Sequence, residues 1–198
     1  MTIRIHQVKK EELKEYYQMQ IKYLDKDDFS EFLQNVDKYK GLYLCAVDNG
    51  KIVGVVYPGT YNGEMYLRGI CVDLSKKLND KGIGSKLIKA FEKKMAQRGL
   101  ERITVGSAEE PRAENFYLKN GWQPTQLVVK KIEKLPSNYK EIIKKENLSE
   151  DKDADGKTLV LRTPVTDYES GKILRERLEK ELNAKECIFI LEKKLKKK

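Results

Sequence analysis

Asn79-Asp80-Lys81-Gly82-Ile83-Gly84-Ser85 stands between a strand-like run, Leu67 to Val72, and a stretch that carries Leu87, Ile88, Phe91 and Met95 on one helical face. A strand that turns through glycines into a helix brings the first helical N–H groups, which have no intrahelical partners, within reach of a ligand. Those donors and the positive end of the helix dipole suit a phosphate. Two glycines also close an ordinary loop, so a second motif must decide. A Walker loop is excluded by spacing. The dinucleotide fingerprint is excluded too, because Leu87 stands where its third glycine belongs.

The second motif lies some thirty residues on. Ile103-Thr104-Val105 reads as a strand, Ser107 to Lys119 as a helix, and Gly121-Trp122 as its exit. Ser107-x-x-Glu110 has the spacing of a capping box, Pro111 falls in the first turn, and Asn120-Gly121 suits a left-handed C-terminal cap. Ala113, Phe116 and Tyr117 share the inward face, with Asn115 close by.

Around these motifs, Thr2 to Val8 reads as a first strand, and Leu13, Tyr17, Ile21 and Leu24 as the apolar face of a helix. A shorter helix follows with Phe29, Phe32, Leu33 and Val36. Leu42 to Val47, Lys51 to Tyr57 and Met65 to Val72 form a meander, with Asp48-Asn49-Gly50 as the turn of its first hairpin. The predicted order is β-α-α-β-β-β-α-β-α-β.

Gly82-Ile83-Gly84-Ser85 resembles the Q/R-x-x-G-x-G/A pyrophosphate loop of the GNAT superfamily of acetyl-CoA-dependent N-acetyltransferases, and Ala113 to Trp122 resembles that family's second characteristic stretch. The two come in the right order with room for one helix and one strand between them. The resemblance covers roughly residues 1–130. It implies an α/β (α+β) fold, a mixed twisted sheet with helices on both faces, and acetyl-CoA as acyl donor with no metal. The implied donor-binding residues are Asn79, Lys81, Gly82, Ile83, Gly84 and Ser85 at the loop, Asn115 and Lys119 on the second helix, and the backbone of Ile70, Cys71 and Val72 for the thioester carbonyl. Asn79 departs from the family's Arg or Gln, and the loop is about two residues longer than is common; Lys81, Lys76 or Lys77 would supply the charge.

The implied reaction is direct attack of a primary amine on the thioester. The amine must lose a proton, the oxyanion needs a donor, and the leaving thiolate needs an acid. Tyr117 matches the tyrosine that family members use as that acid, and a phenol is a donor at neutral pH. Glu64, at the start of the long strand, is the first candidate base, ahead of Glu109 and Glu110. The acceptor, a small-molecule amine or a protein lysine or N-terminus, is expected to meet the loop between the first two helices. Asp25, Asp27 and Asp28 there, beside Tyr23 and Phe29, suit a cationic amine; Asp27 would serve equally as a helix cap. Two other classes remain open: a catalytically idle acyl-CoA-binding sensor, and a protein-interaction module.

Beyond Trp122 a strand runs through Leu127-Val128-Val129 into a polar stretch, Pro136 to Lys157. A strand–helix–strand unit follows: Thr158 to Arg162, a helix opened by a Thr166-x-x-Glu169 capping box with Leu174, Leu178 and Leu182 on one face, and Cys187 to Leu191. This divides the chain into an acetyltransferase domain at 1–133, a linker at 134–157 and a small C-terminal βαβ-like subdomain at 158–198. The apolar strands of that unit need cover, either from the main sheet or from a homodimer partner. Asp151 to Gly156 copies half of an EF-hand loop, but Leu159 and Arg162 occupy its ninth and twelfth positions, so calcium is not expected.

The net charge of +9 is shared evenly, with 21 basic against 17 acidic residues before Lys130 and 19 against 14 from there on. No part is a dedicated polyanion binder, no aromatics interleave with the basic residues, and nucleic acid is not the expected partner. No run approaches the ~20 apolar residues of a membrane span, nor does the N-terminus show a signal peptide's apolar centre; a cytoplasmic protein is expected. Cys45, Cys71 and Cys187 sit in apolar runs without ligand spacing and read as buried free thiols. With His6 the lone histidine, no metal site is expected.

Overall fold

The computed structural model describes residues 3–24, 26–73, 82–107, 110–132, 134–152 and 158–196. Its helices and strands fall into two compact units, Met1–Ile103 with Lys194–Lys198, and Thr104–Lys193.

The first unit is built on a four-stranded antiparallel sheet in the order β1-β2-β3-β4, from β1 (Arg4–Gln7), β2 (Leu44–Asp48), β3 (Lys51–Tyr61) and β4 (Glu64–Val72). The first hairpin turns at Asn49 and Gly50, both at positive φ, the geometry that Asn-Gly favours. β3 runs four residues past its expected end to a second such turn, Asn62-Gly63. Two helices, α1 (Leu13–Tyr23) and α3 (Ile83–Gln97), pack on this sheet; α2 (Phe29–Lys38) lies between α1 and β2 in the chain. On α3 the expected face is the buried one: Leu87, Ile88, Phe91 and Met95 are all fully enclosed. On α1 the buried face is Tyr16, Met19 and Gln20, while Leu13, Tyr17, Ile21 and Leu24 sit at its margins. The rotation follows Tyr16, whose ring stacks on Phe32 and whose hydroxyl donates to the Val56 carbonyl at 2.8 Å. A buried phenol usually finds such a partner.

In the second unit, β5 (Arg102–Gly106), β6 (Gln123–Ile132), β7 (Ser149–Lys152), β8 (Leu159–Pro164) and β9 (Ala184–Lys194) form a five-stranded sheet in the order β5-β9-β6-β8-β7. The mixed α/β class expected from sequence therefore holds, with the described strands divided between two sheets. Cys187 to Leu191 forms the middle of β9, which lies between β5 and β6, and β8 lies between β6 and β7. Both apolar strands are thus hydrogen-bonded on both edges by neighbours in this chain.

The expected polar linker contains structure: α5 (Tyr139–Lys145) buries Tyr139 and Ile142, and β7 pairs with β8. Its few apolar residues are widely spaced, too weak a pattern to stand out against the surrounding charges. α4 (Pro111–Lys119) and α6 (Tyr168–Leu182) complete the unit.

Two expected capping boxes are not made. α4 begins at Pro111 with Glu110 as a bare N-cap, and Ser107 turns inward instead. α6 is capped by Asp167, which accepts from the Ser170 N–H at 2.9 Å, one residue beyond Thr166.

Candidate active site

At the β4–α3 junction Gly82 is the N-cap of α3, in the left-handed region at φ 63°. Gly82 gives no side-chain cap, the first turn has no acidic residue, and the N–H groups of Ile83, Gly84 and Ser85, at the start of the helix, suit an anion. Asn79 and Lys81, with Lys76 and Lys77, lie outside the described residues.

Among the described strands β4 lies at the edge of its sheet, and half of its backbone N–H and C=O groups point away from β3. It carries a bulge: Tyr57 faces Gly69 and Pro58 faces Leu67, which leaves Arg68 as the extra residue. Bulges re-aim a strand and gather next to active sites. Beyond the bulge Ile70, Cys71 and Val72 face Val56, Val55 and Gly54, the stretch assigned to the thioester carbonyl. Burial pushes the Cys71 thiol up to about 12, so it stays a neutral, inert group.

Gly54 is what lets β3, β4 and α3 meet here. A Cβ at this position would lie 2.9 Å from Leu87 Cδ1 and 3.0 Å from the Cys71 carbonyl oxygen. Gly54→Ala is expected to destabilise the chain by about 1–3 kcal/mol and to weaken acetyl-CoA binding by displacing the start of α3. Urea unfolding and calorimetry check it; unchanged values in both would show that α3 is not seated through this contact.

The aspartates expected to attract an acceptor have other work. Asp27 pairs with Arg68 at 2.9 Å, the two being 12% and 29% exposed, and its carbonyl accepts from the Tyr17 hydroxyl. Asp28, not Asp27, caps α2 by accepting from the Glu31 N–H at 2.8 Å. Asp25 lies outside the described residues. Three further polar features were not read from the sequence. Arg68 itself sits at the bulge. Tyr23 donates to Asp73 at 2.9 Å, and Gln20 is buried with its Oε1 lacking a partner among the described residues. These pairings join positions up to fifty residues apart, and no local signal announces them.

Glu64 occupies the exposed first position of β4, beside the Asn62-Gly63 turn. It lies six residues, about 20 Å at the rise of a strand, from Ile70. Glu109 is outside the described residues, and Glu110 is exposed at the α4 N-terminus.

In the second unit Tyr117 is 6% exposed, with its ring against Phe116 and Trp122 at 5.2 and 5.5 Å. Its hydroxyl has no hydrogen-bond partner among the described residues. Burial raises its pKa well above the usual phenol range, so it carries its proton throughout neutral and mildly alkaline pH. Asn115 and Lys119 are exposed on the same helix, and Asn120 closes it by donating to the Phe116 carbonyl at 2.8 Å. The fully buried residue beside Tyr117 is Glu114, not Phe116. Its carboxylate accepts from Arg175 at 2.6 Å, Tyr168 at 2.5 Å and Ser107 at 3.3 Å. Ser107 in turn accepts from the Phe189 N–H at 3.0 Å. Burial works against the charge on Arg175, but the Glu114 carboxylate more than offsets this and holds the guanidinium protonated.

The profile of the Acetyltransferase (GNAT) family matches residues 5–122, and the chain belongs to that family. It is similar in fold to an N-acetyltransferase from Staphylococcus aureus Mu50, with 14% identity and a TM-score of 0.59 over 99% of this chain and all of that one. It is similar also to yncA from Salmonella typhimurium, solved with acetyl-CoA, with 13% identity and a TM-score of 0.57 over 100% of this chain and 96% of that one. A tRNA(Met) cytidine acetyltransferase, TmcA 2 of Saccharolobus solfataricus, is 32% identical over 72 residues, which are 35% of this chain and only 9% of that protein. Acetyl transfer is the activity of the family, and acetyl-CoA is its acyl donor. No helix among the described residues is long and apolar enough to cross a membrane.

Proposed function

We propose that this protein transfers an acetyl group from acetyl-CoA to a primary amine by direct attack in a ternary complex. The observation that carries the reading is the left-handed Gly82 cap, which opens α3 without a side-chain cap or a first-turn acid. These donors take the pyrophosphate, and a β4 backbone N–H at Ile70, Cys71 or Val72 holds the thioester oxygen as it becomes an oxyanion. The amine nitrogen bonds to the carbonyl carbon, the C–S bond breaks, and Tyr117 passes its proton to the departing thiolate.

Arg68 engages Asp27, and Asp28 caps a helix, so the acceptor is not drawn in by free aspartates at these positions. A general base must come within about 3 Å of the proton it takes, or act through one water. Glu64, about 20 Å along β4 from Ile70, lies beyond that reach of an amine at the thioester and is not assigned the role. Glu64→Gln should then leave the pH profile of the rate unchanged; a loss greatest at low pH would bring Glu64 back into the mechanism.

The deciding experiment is calorimetric titration with acetyl-CoA and CoA beside a thiol-release assay against pooled amines, polyamines and lysine peptides. Binding with release supports the transferase. Binding without release favours an acyl-CoA sensor, and no binding overturns the cradle.

A further inference from the structure

We propose that His6, Glu12 and Cys45 form a binding site for a borderline-soft divalent cation of the zinc type, in the first unit and separate from the acyl-transfer groups. The three residues come from three elements: β1, the single 3-10 turn Lys10–Glu12, and β2. His6 Nε2 lies 2.9 and 3.1 Å from the two Glu12 oxygens and 3.6 Å from Cys45 Sγ, and that sulfur lies 3.9 Å from Glu12 Oε2. All three ligand atoms fall within 4.8 Å of one another.

Zinc bonds of about 2.3 Å to sulfur and 2.0–2.2 Å to nitrogen and oxygen, at tetrahedral angles, give ligand separations of about 3.6 Å for N···S and O···S and about 3.4 Å for N···O. The three edges here differ from those values by no more than about half an ångström, which small side-chain rotations can supply. Three protein ligands leave the fourth corner for water. A thiolate and an imidazole select zinc or cobalt over magnesium or calcium, which prefer oxygen.

Charge and burial agree with this. Cys45 is fully buried, and the side chains of His6 and Glu12 are 28% and 18% exposed. A divalent ion binds the deprotonated ligand, and one thiolate, one carboxylate and one neutral imidazole balance its charge. Glu12 is also held from behind, accepting from the Lys9 N–H at 2.9 Å, an orienting contact of the kind that ligands at metal centres have. No spacing in the sequence shows the site, because its ligands are 6 and 33 residues apart and meet only when β1 pairs with β2.

The test uses the full chain, freed of metal and titrated with cobalt(II) and zinc(II) chloride. One equivalent of cobalt should give intense tetrahedral ligand-field bands and a thiolate-to-cobalt charge-transfer band, both bleached by zinc. Zinc should raise the melting temperature. His6→Gln, at a half-buried position, should keep the fold but lower cobalt affinity by at least about a hundredfold, since outer-shell partners alone are worth about 10–100-fold. It should also abolish the zinc-dependent rise in melting temperature. Cys45→Ser should remove the charge-transfer band, whereas Cys71→Ser and Cys187→Ser should retain it. Absence of that band in the wild-type chain, or its survival in Cys45→Ser, would overturn the proposal, as would equal affinity in His6→Gln. Acetyl-CoA binding is read separately, so failure here leaves the transferase assignment standing.

Discussion

Tyr117→Phe should lower turnover at saturating acetyl-CoA by about 10²–10⁴-fold, the usual contribution of a positioned proton donor, while leaving the acetyl-CoA dissociation constant and the unfolding midpoint near their wild-type values. The phenol is buried and its hydroxyl has no partner among the described residues, so deleting one oxygen breaks no internal hydrogen bond. The ring contacts with Phe116 and Trp122 survive in the variant. A loss confined to turnover therefore identifies the proton donor, and a loss of stability would identify a packing residue. The pH dependence gives a second reading. Burial raises the phenol's pKa above its ordinary value of 10, so the acid form persists across the range in which an amine substrate loses its proton. The wild-type rate should rise with pH as the amine deprotonates and show no decline from Tyr117 ionisation below pH 10. Full turnover in the phenylalanine variant would remove Tyr117 from the chemistry.

The sequence carried the fold where local signals and burial agree. Leu87, Ile88, Phe91 and Met95 repeat at helical spacing and are all buried, and Asn49-Gly50 adopts the positive φ angles its residue types favour. It misled where a polar side chain had a tertiary use. Ser107 has the spacing of a helix cap, yet its hydroxyl serves Glu114 and the Phe189 N–H, a partner 82 residues away. Tyr16 and Gln20, which stand outside the expected face of Leu13, Tyr17, Ile21 and Leu24, prove to be the core of α1. The strand at Cys187 to Leu191 was visible as an apolar run, but its insertion between β5 and β6 depends on pairing across some sixty residues, which periodicity does not encode.

The candidate site divides in the same way. The glycine loop and the tyrosine were legible because backbone conformation and a compact motif specify them locally. The bulge at Arg68 was not, since it is a property of register between β3 and β4. Glu114 was hidden for a different reason: a glutamate on an amphipathic helix reads as solvent-facing, and only the arrival of Arg175 and Tyr168 from α6 makes its burial tolerable. The residues of α6 thus do more than extend the chain. They supply the cation and the phenol that satisfy a carboxylate on the helix that carries Tyr117.

Arg175→Ala should accordingly be among the most destabilising single substitutions in the second unit, by about 3–5 kcal/mol, the usual cost of leaving one member of a buried ion pair alone. Glu114 is fully enclosed and its partner is 16% exposed, so water can replace little of the lost interaction. Tyr168 and Ser107 still donate to the carboxylate in the variant and hold the loss toward the lower end. Urea unfolding of Arg175→Ala, Glu114→Leu and Arg175→Met/Glu114→Leu completes the argument. A buried pair replaced on both sides by apolar groups is often neutral, so the double variant should recover more than half of the single losses. Because α4 is held through Glu114, Arg175→Ala should also lower turnover while sparing the cradle at Gly82. Additive losses in the double variant, or a fully stable Arg175→Ala, would show that α6 is seated by its apolar face alone and that Glu114 has no part in holding α4.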